Sequence, residues 1–323
     1  MSERKKISLD PPREAHIIVG AEPAARVGAS PHNDINFMKH LIHFTKMQGA
    51  GNDYIYLDRL DPTLPPLPLS PSELARRMSP RHTAVGADGL VLILPSDVTD
   101  ARMQMFNADG SEGLMCGNAI RCVGKYLYDE GYCHKAQLTV ETQAGIKQLD
   151  LHLGADGTVA TATVDMGQAT LAPSAIPLSC DQPLIDAPVS ALGQAHHLTA
   201  LSVGNPHTVI FTDDPEAIDL PAVGSALEHH PLFPHRANVE FVRVINRHTL
   251  EMRVWERGSG ETLACGTGAC ASVAAAILLG HCPTDTPITV LMKGGSLAVT
   301  CSSDLCLSMT GDAVRVYDGM YSL

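Results

Sequence analysis

The sequence predicts an α+β fold of two pseudo-symmetric domains, each a mixed or antiparallel sheet wrapped around a central buried helix. Three observations support this prediction. Short segments rich in β-branched and aromatic residues, bounded by turn residues, predominate in both halves of the chain. Two helical segments, starting at Cys116 and Cys265, carry small or apolar residues almost all round, which is typical of buried helices. One short motif also occurs twice, once before each of these helices.

The first half begins with strands and one short helix. Strands are predicted at residues 41–46, 53–58, 89–94 and 102–107. A Pro-rich connection, residues 62–71, leads into Ser70-Pro71-Ser72-Glu73. Because this is a capping box with proline at the first helical position, a helix is predicted from there through about Met78.

The two central helices are predicted from their composition and their ends. One begins at Cys116-Gly117 and runs to about Glu130, and the other begins at Cys265-Gly266 and runs to about Leu279. The next residue in each case is glycine, which commonly ends a helix.

The second half repeats the short-strand pattern. Strands are predicted at residues 201–203, 208–212, 239–245, 250–256, 288–293 and 296–301. Near the end of the chain, Asp318-Gly319 is predicted to form a turn.

The repeated motif indicates an internal duplication. Glu112-x-Leu114-x-Cys116-Gly117 recurs as Glu261-x-Leu263-x-Cys265-Gly266, and upstream Gly51-Asn52 recurs as Gly204-Asn205. The order is the same in both halves, although few identities support it. A pseudo-two-fold axis between the halves would bring the two Cys-Gly helix starts face to face across one cleft.

Three segments are expected along the chain. Residues 1–40 are predicted to be a disordered extension, because residues 1–37 mix charges, Pro, Gly and Ala without a sustained period, and Met38 is a candidate alternative start. Residues 41–162 with 312–323 are predicted to form the half that contains Cys116. Residues 163–311 are predicted to form the half that contains Cys265.

Composition narrows the class of protein. Apolar residues make up 45% of the 323 residues, enough for a core, and no apolar run reaches the roughly 20 residues of a membrane helix. A formal net charge of −12 argues against a nucleic-acid partner. Nine scattered cysteines, without a CxxC or HExxH motif, predict neither a disulfide framework nor a metal site, so a reducing cytoplasm is expected.

Two cysteines differ from the other seven in their context. A helix N-terminus offers free N–H groups and partial positive charge, so it binds a carboxylate and lowers the pKa of a thiol. Cys116 and Cys265 both occupy such positions, with Gly117 and Gly266 allowing close approach of a ligand. The others are predicted to be small buried hydrophobic residues: Cys122, Cys133, Cys180, Cys270, Cys282, Cys301 and Cys306.

A pair of opposed thiols predicts a specific chemistry. Inverting a stereocentre by proton transfer requires a base on one face of a carbon and an acid on the other. One thiolate and one thiol meet that requirement, and their roles exchange with the direction of reaction. The titration of such a pair is coupled. The sequence therefore favours an amino-acid epimerase that needs no cofactor.

The chain resembles the diaminopimelate epimerase family over nearly all of residues 41–323. Several long motifs in the expected order carry the resemblance: residues 44–54 (FTKMQGAGNDY), 106–111 (FNADGS), 116–122 (CGNAIRC), 204–207 (GNPH), 236–238 (RAN) and 256–269 (ERGSGETLACGTGA).

The resemblance implies roles for individual residues. Cys116 and Cys265 match the catalytic acid/base pair, and His207 and Glu256 match residues that help them. The positions that hold the substrate are matched by Asn52, Asn107, Asn205, Asn238, Glu256 and Arg257, and those that cradle its α-carboxylate by Gly117, Asn118, Gly266 and Thr267. A homodimer with Tyr317 at its interface and no metal or organic cofactor are also implied.

Diaminopimelate, the substrate that the resemblance implies, has two amino-acid heads, of which only one is inverted. Polar side chains must recognise the other, with Arg257 suited to a carboxylate and Glu256 to an ammonium group. Two departures from the family pattern stand nearby. Gly89 replaces a glutamine that touches substrate in some members, and Thr208 stands where cysteine is frequent.

Simpler interpretations of these residues stay open. Asn52 and Asn205 each adjoin a glycine and are suited to turns. His207 is also typical of a loop, and Glu256 with Arg257 of a surface ion pair. A proline or hydroxyproline racemase would share the two cysteines but not the recognition of a second head. A non-catalytic binding protein would be expected to lack a cysteine or a carboxylate cradle, and both are intact.

Overall fold

The computed structural model describes residues 17–19 and 41–323. Its helices are α1 (Pro71–Met78), α2 (Gly117–Asp129), α3 (Leu220–Glu228) and α4 (Gly266–Leu278), with short 3-10 turns at Pro173–Ala175 and Pro215–Ala217. Its strands are β1 (Ile17–Val19), β2 (Leu41–Gly49), β3 (Asn52–Asp58), β4 (Gly89–Leu94), β5 (Ala101–Asn107), β6 (Glu112–Gly113), β7 (Gln137–Thr142), β8 (Gly145–Leu153), β9 (Val159–Gln168), β10 (Ala187–Ala191), β11 (Gln194–Ser202), β12 (Pro206–Phe211), β13 (Asn238–Asn246), β14 (Thr249–Glu256), β15 (Gly260–Glu261), β16 (Ile288–Met292), β17 (Gly295–Cys301), β18 (Cys306–Asp312) and β19 (Val314–Ser322).

The strands pair in one continuous order. It runs β1, β19, β2, β3, β4, β5, β7, β8, β9, β18, β17, β16, β14, β13, β12, β11, β10, with β6 on β5 and β15 on β14. Most neighbours are antiparallel, but β3 with β4, β5 with β7, β12 with β13, β14 with β16 and β1 with β19 are parallel. The sheet is therefore mixed, and the predicted α+β class is confirmed.

The order of elements from β2 to β9 is repeated from β11 to β18. In each copy a hairpin precedes a parallel pairing, and a two-residue strand precedes a central helix of 13 residues. β19 pairs with β2 as β10 pairs with β11, and the two copies meet where β9 pairs with β18. The prediction of two pseudo-symmetric domains is confirmed. The proposed boundaries fall inside β9 and β18 and stay a prediction.

Both central helices are buried along most of their length. The buried residues of α2 run from Gly117 to Leu127, and those of α4 include Ala269 to Ala276. α2 packs on strands that include β9 and β2, and α4 on strands that include β17 and β12. The burial of both helices agrees with the prediction made from their small and apolar residues. None of the helices that the structure describes is both long and apolar enough to cross a membrane.

Several local predictions need correction. Asp318-Gly319 forms no turn, because both residues lie within β19 and pair with β2. The capping box of α1 forms only in part. Ser70 accepts a hydrogen bond from the Glu73 amide at 3.2 Å, but the Glu73 carboxylate turns to Arg76 and Arg77. The elements that were not predicted are α3, β1, β6, β7, β8, β9, β10, β15, β18, β19 and most of β11.

The seven other cysteines are not all buried. Cys122, Cys270, Cys282 and Cys301 are buried as predicted, but Cys133 and Cys180 are half-buried and Cys306 is exposed. The last three lie in turns or at a strand end, where the chain is open to solvent. Of the predicted disordered extension, the structure describes only β1, which pairs with β19; the rest of residues 1–40 lies outside the described residues.

Arg121 joins α2 to the strand that connects the two copies. Its guanidinium is fully buried and donates from Nε to the Asp312 carbonyl at 3.1 Å and from Nη1 to the Gly117 carbonyl at 3.1 Å. Nη2 donates to Asn118 Oδ1 at 3.0 Å. Burial lowers the pKa of this guanidinium, and its three hydrogen bonds go to two carbonyl oxygens and one amide oxygen.

We expect Arg121→Ala to lower the free energy of unfolding by about 3 kcal/mol, because three buried acceptors lose their donor and a void remains. Urea denaturation followed by circular dichroism would measure the change. Arg102→Ala, which truncates an exposed arginine on β5, is the matched control. Equal stabilities of the two variants would contradict this account of Arg121.

Candidate active site

A cleft opens where the first turns of α2 and α4 meet. A cavity of about 330 Å³ is lined by residues 113–118 from one copy and 264–267 from the other. A second cavity, of about 1000 Å³, shares part of the same wall. The shared residues are Asn52, Tyr54, Asn107, Glu256 and Ala264. The two cavities therefore form one cleft, with the cysteines in its narrower part.

Cys116 and Cys265 occupy equivalent positions. Each is the N-cap of its helix in extended backbone conformation, with φ −134° and ψ 121° for Cys116 and φ −129° and ψ 110° for Cys265. The Cys265 thiol lies 3.4 Å from the Gly268 amide, which donates to it, and 3.5 Å from Thr267 Oγ1. The prediction that both cysteines begin helices on one cleft agrees with this geometry.

The glycines after both cysteines meet the same methionine. A Cβ on Gly117 would lie 2.5 Å from Met309 Cε, and one on Gly266 would lie 3.1 Å from Met309 Sδ. Met309, fully buried on β18, therefore packs between the two helix starts. The sequence interpretation assigned these glycines to close approach of a ligand. In the structure they also allow the two first turns to come together over one side chain.

The expected lowering of the cysteine pKa is wrong for this structure. Burial raises the pKa of Cys116, although the amides of Ala119 and Asn118 act in the opposite direction. Burial raises the pKa of Cys265 well above its ordinary value, and the charges of Glu256 and Glu240 add to the rise. The N–H groups of the helix start are present, but desolvation of the thiolate outweighs them.

The Cys116 side of the cleft is held by a chain of polar side chains. Asn52 Oδ1 accepts from the Cys116 thiol and from Asn118 Nδ2, both at 3.3 Å. Asn52 Nδ2 donates to Asp88 at 2.6 Å, and Arg81 pairs with the other oxygen of Asp88 at 2.6 Å. Asp88 thereby sets the orientation of the Asn52 amide. Asn52 is thus no turn residue; the turn before it is made by Ala50 and Gly51, both with positive φ.

The Cys265 side contains a fully buried histidine. His207 Nδ1 lies 2.7 Å from Glu240 Oε1, and Nε2 lies 2.9 Å from Asn205 Oδ1. His207 and Glu240 are both completely buried, whereas Asn205 lines the cleft. His207 therefore lies on β12 behind the wall of the cleft and not in an exposed loop.

Glu256 and Arg257 stand at the end of β14 and have different partners. Glu256 Oε1 accepts from Thr262 Oγ1 at 2.5 Å, and burial raises the pKa of the Glu256 carboxyl. Arg257 is exposed, and its backbone amide donates to Asn238 Oδ1 at 2.9 Å. Both residues line the cleft. The buried Asn238 supports Arg257 from behind rather than reaching the cavity wall.

Three further predicted positions have clear surroundings. Asn107 lines the cleft and donates to Ser111 at 3.0 Å. A Cβ on Gly89 would lie 2.1 Å from the Phe106 carbonyl oxygen and 2.9 Å from Tyr54 Cε1, so the glutamine found elsewhere has no room in this arrangement. Tyr317, on β19, packs edge-on against Phe44 with ring centroids 5.9 Å apart.

The sequence patterns did not identify four polar residues of the site. They are Asp88, Arg121, Glu240 and Thr262, and each contacts a predicted site residue. Arg121 and Glu240 did give a signal, because a charged residue within an otherwise apolar helix or strand requires a buried partner. Asp88 and Thr262 lie in polar loops and gave none.

The comparisons with known proteins identify the family of this chain. The sequence profile of the family described as diaminopimelate epimerase matches residues 44–172 and 199–316. The chain belongs to the diaminopimelate epimerase family. A protein of that name from Desulfovibrio desulfuricans is 51% identical over 288 residues, covering 87% of this chain and 98% of the relative. Another, from Acetivibrio thermocellus, is 48% identical over 284 residues, covering 87% of this chain and 99% of the relative.

Solved structures support the fold at lower identity. A PhzF-family phenazine biosynthesis protein from Bacillus anthracis superposes with a TM-score of 0.63 at 17% identity, covering 88% of this chain and 99% of its own. A probable proline racemase from Agrobacterium radiobacter superposes with a TM-score of 0.64 at 17% identity, covering 86% of this chain and 92% of the racemase chain. At such identity the likeness extends to the fold alone.

We expect alkylation by iodoacetamide to distinguish the two cysteines. A raised thiol pKa means less thiolate at pH 7, with the fraction growing as the pH rises, so alkylation of Cys116 should accelerate from pH 7 to pH 10. Cys265, which is buried and has the larger shift, should react more slowly at every pH. Mass spectrometry of tryptic peptides measures both rates, with the exposed Cys306 as reference. A Cys116 rate that is constant from pH 6 to pH 8 would indicate a resting thiolate instead.

Proposed function

We propose that this chain epimerises LL-2,6-diaminopimelate to the meso form without a metal or organic cofactor: one of Cys116 and Cys265 removes the α-proton, and the other delivers its own proton to the opposite face. The observation that carries the proposal is the pair of equivalent N-cap cysteines lining one cavity. Relatives of similar length that bear the name diaminopimelate epimerase support the choice of substrate. The product would enter lysine and peptidoglycan precursor synthesis.

Each inversion moves two protons. The thiolate of one cysteine takes the α-proton, so an S–H bond forms as the C–H bond breaks and its electron pair moves toward the substrate carboxylate. The thiol of the other cysteine then gives its proton to the opposite face of the carbon and becomes the thiolate. The first turns of α2 and α4 line the cavity, and their N–H groups would stabilise the carboxylate oxygens on which negative charge grows.

Substrate binding provides a reason for one thiol to ionise. Carboxylate charge from Glu256 contributes to the raised pKa of Cys265. An ammonium group bound at Glu256 would offset that charge and lower the pKa of the thiol. In this proposal the thiolate forms when the substrate is in place, which limits unwanted reactions of the free enzyme.

The part of the cleft where the two cavities meet suits the second amino-acid head. Glu256 and Asn107 line both cavities, and Arg257, an exposed guanidinium beside Glu256, lines the narrower one. A carboxylate and an ammonium group can bind there together, with the arginine suited to two-point contact. Proline has no such head, so this part of the cleft would be unused by a proline racemase.

A homodimer is part of the proposal. Tyr317, on β19, is only partly buried and packs on Phe44 of the neighbouring strand β2. The ring is therefore held in a fixed orientation at the surface. An aromatic side chain so placed is suited to a subunit contact.

We expect the purified, reduced protein to convert LL-diaminopimelate to the meso isomer and to leave L-proline unchanged, as measured by chiral chromatography. Cys116→Ala and Cys265→Ala should each lower the rate at least about a thousandfold, because either change removes one of the two proton carriers.

Cys306→Ala is the matched control, since Cys306 is exposed at the start of β18 and away from the cleft; it should retain full activity. Full epimerase activity in Cys265→Ala would overturn the two-base proposal. Inversion of proline alone would keep the two cysteines and overturn the substrate.

A further inference from the structure

Three side chains form a polar chain from the sheet to the cleft. Glu240 on β13, His207 on β12 and Asn205 before β12 are joined by contacts of 2.7 and 2.9 Å at the two imidazole nitrogens. Only Asn205 lines the cleft. Any influence of Glu240 on the substrate must therefore pass through His207 and Asn205.

Glu240 is a carboxylate that needs compensation. It is completely buried, and its second oxygen, Oε2, has no hydrogen-bond partner among the residues that the structure describes. Among the residues that the structure describes, His207 is the one side chain that contacts the Glu240 carboxylate as a hydrogen-bond or ion-pair partner. A buried carboxylate without a cation is costly, so the pair is most stable when His207 is an imidazolium.

The hydrogen bonds of His207 lead to the same protonation state. Each ring nitrogen faces an oxygen atom, the Glu240 carboxylate at Nδ1 and the Asn205 amide oxygen at Nε2. A neutral imidazole has one N–H donor and one acceptor nitrogen, so it cannot donate to both oxygens. An imidazolium donates to both and leaves neither contact unsatisfied.

The charge state of His207 determines which end of Asn205 faces the substrate. When Nε2–H holds Oδ1, the Asn205 NH₂ group is turned toward the cleft and can donate to a carboxylate. If Nε2 carried no proton, the amide would rotate to donate to it and would present an oxygen to the cleft. A carboxylate of the substrate would then meet an acceptor in place of a donor.

We propose that Glu240 is a positioning residue: it keeps both nitrogens of His207 protonated and thereby directs the Asn205 NH₂ group at a substrate carboxylate. The proposal rests on the proposed function for the identity of the ligand.

The backbone around Glu240 fixes its position. A Cβ on Gly268 would lie 2.8 Å from Glu240 Oε1 and 3.3 Å from Cys265 Sγ. The carboxylate therefore lies against the first turn of α4, directly behind the catalytic cysteine proposed above. Glycine at this position leaves space for the Glu240–His207 pair.

The first test needs only the wild-type protein. In a sample labelled with ¹⁵N-histidine, both ring nitrogens of His207 should resonate as protonated nitrogens at pH 7, and Nδ1 should carry a strongly downfield proton. His207→Asn, which removes these signals, makes the assignment. One unprotonated ring nitrogen in the wild type would overturn the proposal, whether or not the protein epimerises diaminopimelate.

The second test is a double-mutant cycle in diaminopimelate turnover. Glu240→Gln keeps the shape and removes the charge; it should raise KM about tenfold with a much smaller change in kcat, as expected for loss of one hydrogen bond to a charged group. In an Asn205→Ala background it should have no further effect, because Glu240 acts through Asn205.

Glu251→Gln is the control, a surface carboxylate on β14 paired with Arg243 at 2.8 Å; it should leave both constants unchanged. Equal losses from Glu240→Gln in both backgrounds, or a loss confined to kcat, would indicate a general structural role and contradict the proposal. Thermal unfolding identifies a Glu240→Gln protein that does not fold, and the wild-type spectrum then decides the question.

Discussion

A helix that is buried along its sides leaves the N–H groups of its first turn to a cavity or to a partner. Here two such helices, one from each copy of the repeat, begin at the same cavity. Met309 fills the space between their first turns, and each begins with a glycine that permits this packing. Because both starts lie on one cavity, the two N-cap cysteines lie there too. The chemistry proposed for the chain depends on this meeting of helix ends.

Polar partners hold the side chains of the cleft in place. Asp88 orients Asn52, Arg121 orients Asn118, His207 orients Asn205, and Asn238 holds the backbone of Arg257. Three of these partners, Arg121, His207 and Asn238, are buried behind the cleft, whereas Asp88 lines its wider part. Side chains fixed in this way do not need to reorganise when charge develops on a bound substrate, which is the condition for strong electrostatic stabilisation.

Sequence patterns predicted the central helices well because burial imposes an apolar composition that is visible residue by residue. The paired Glu-x-Leu-x-Cys-Gly motifs also located the starts of these two helices, and each motif begins with a two-residue strand. The strands β8 and β9 were missed although their sequences alternate apolar and polar residues, a pattern that predicts a half-buried strand. Asp318-Gly319 has turn-like composition, but pairing with β2 determines its conformation.

The direction of the pKa shifts of the two thiols also could not be predicted from the local sequence. A helix N-terminus lowers a thiol pKa, but desolvation raises it, and only the packed structure determines which effect is larger. At Cys265 the nearby carboxylates are Glu240 on β13 and Glu256 on β14, and the fold determines how close they come to the thiol. The charges of Arg121 and Glu240 are likewise evident in the sequence, but their pairing with Asp312 and His207 on other elements is not.

The measurement that tests the central claim most directly follows the isotope during one inversion. The reduced protein is mixed with LL-diaminopimelate in D₂O, and substrate and product are analysed by mass spectrometry at low conversion. Transfer between two opposed thiols predicts that the meso product carries one deuterium at the inverted carbon while unreacted substrate stays unlabelled. Product that retains its original proton would show that a single group carries the proton across, and would contradict the account.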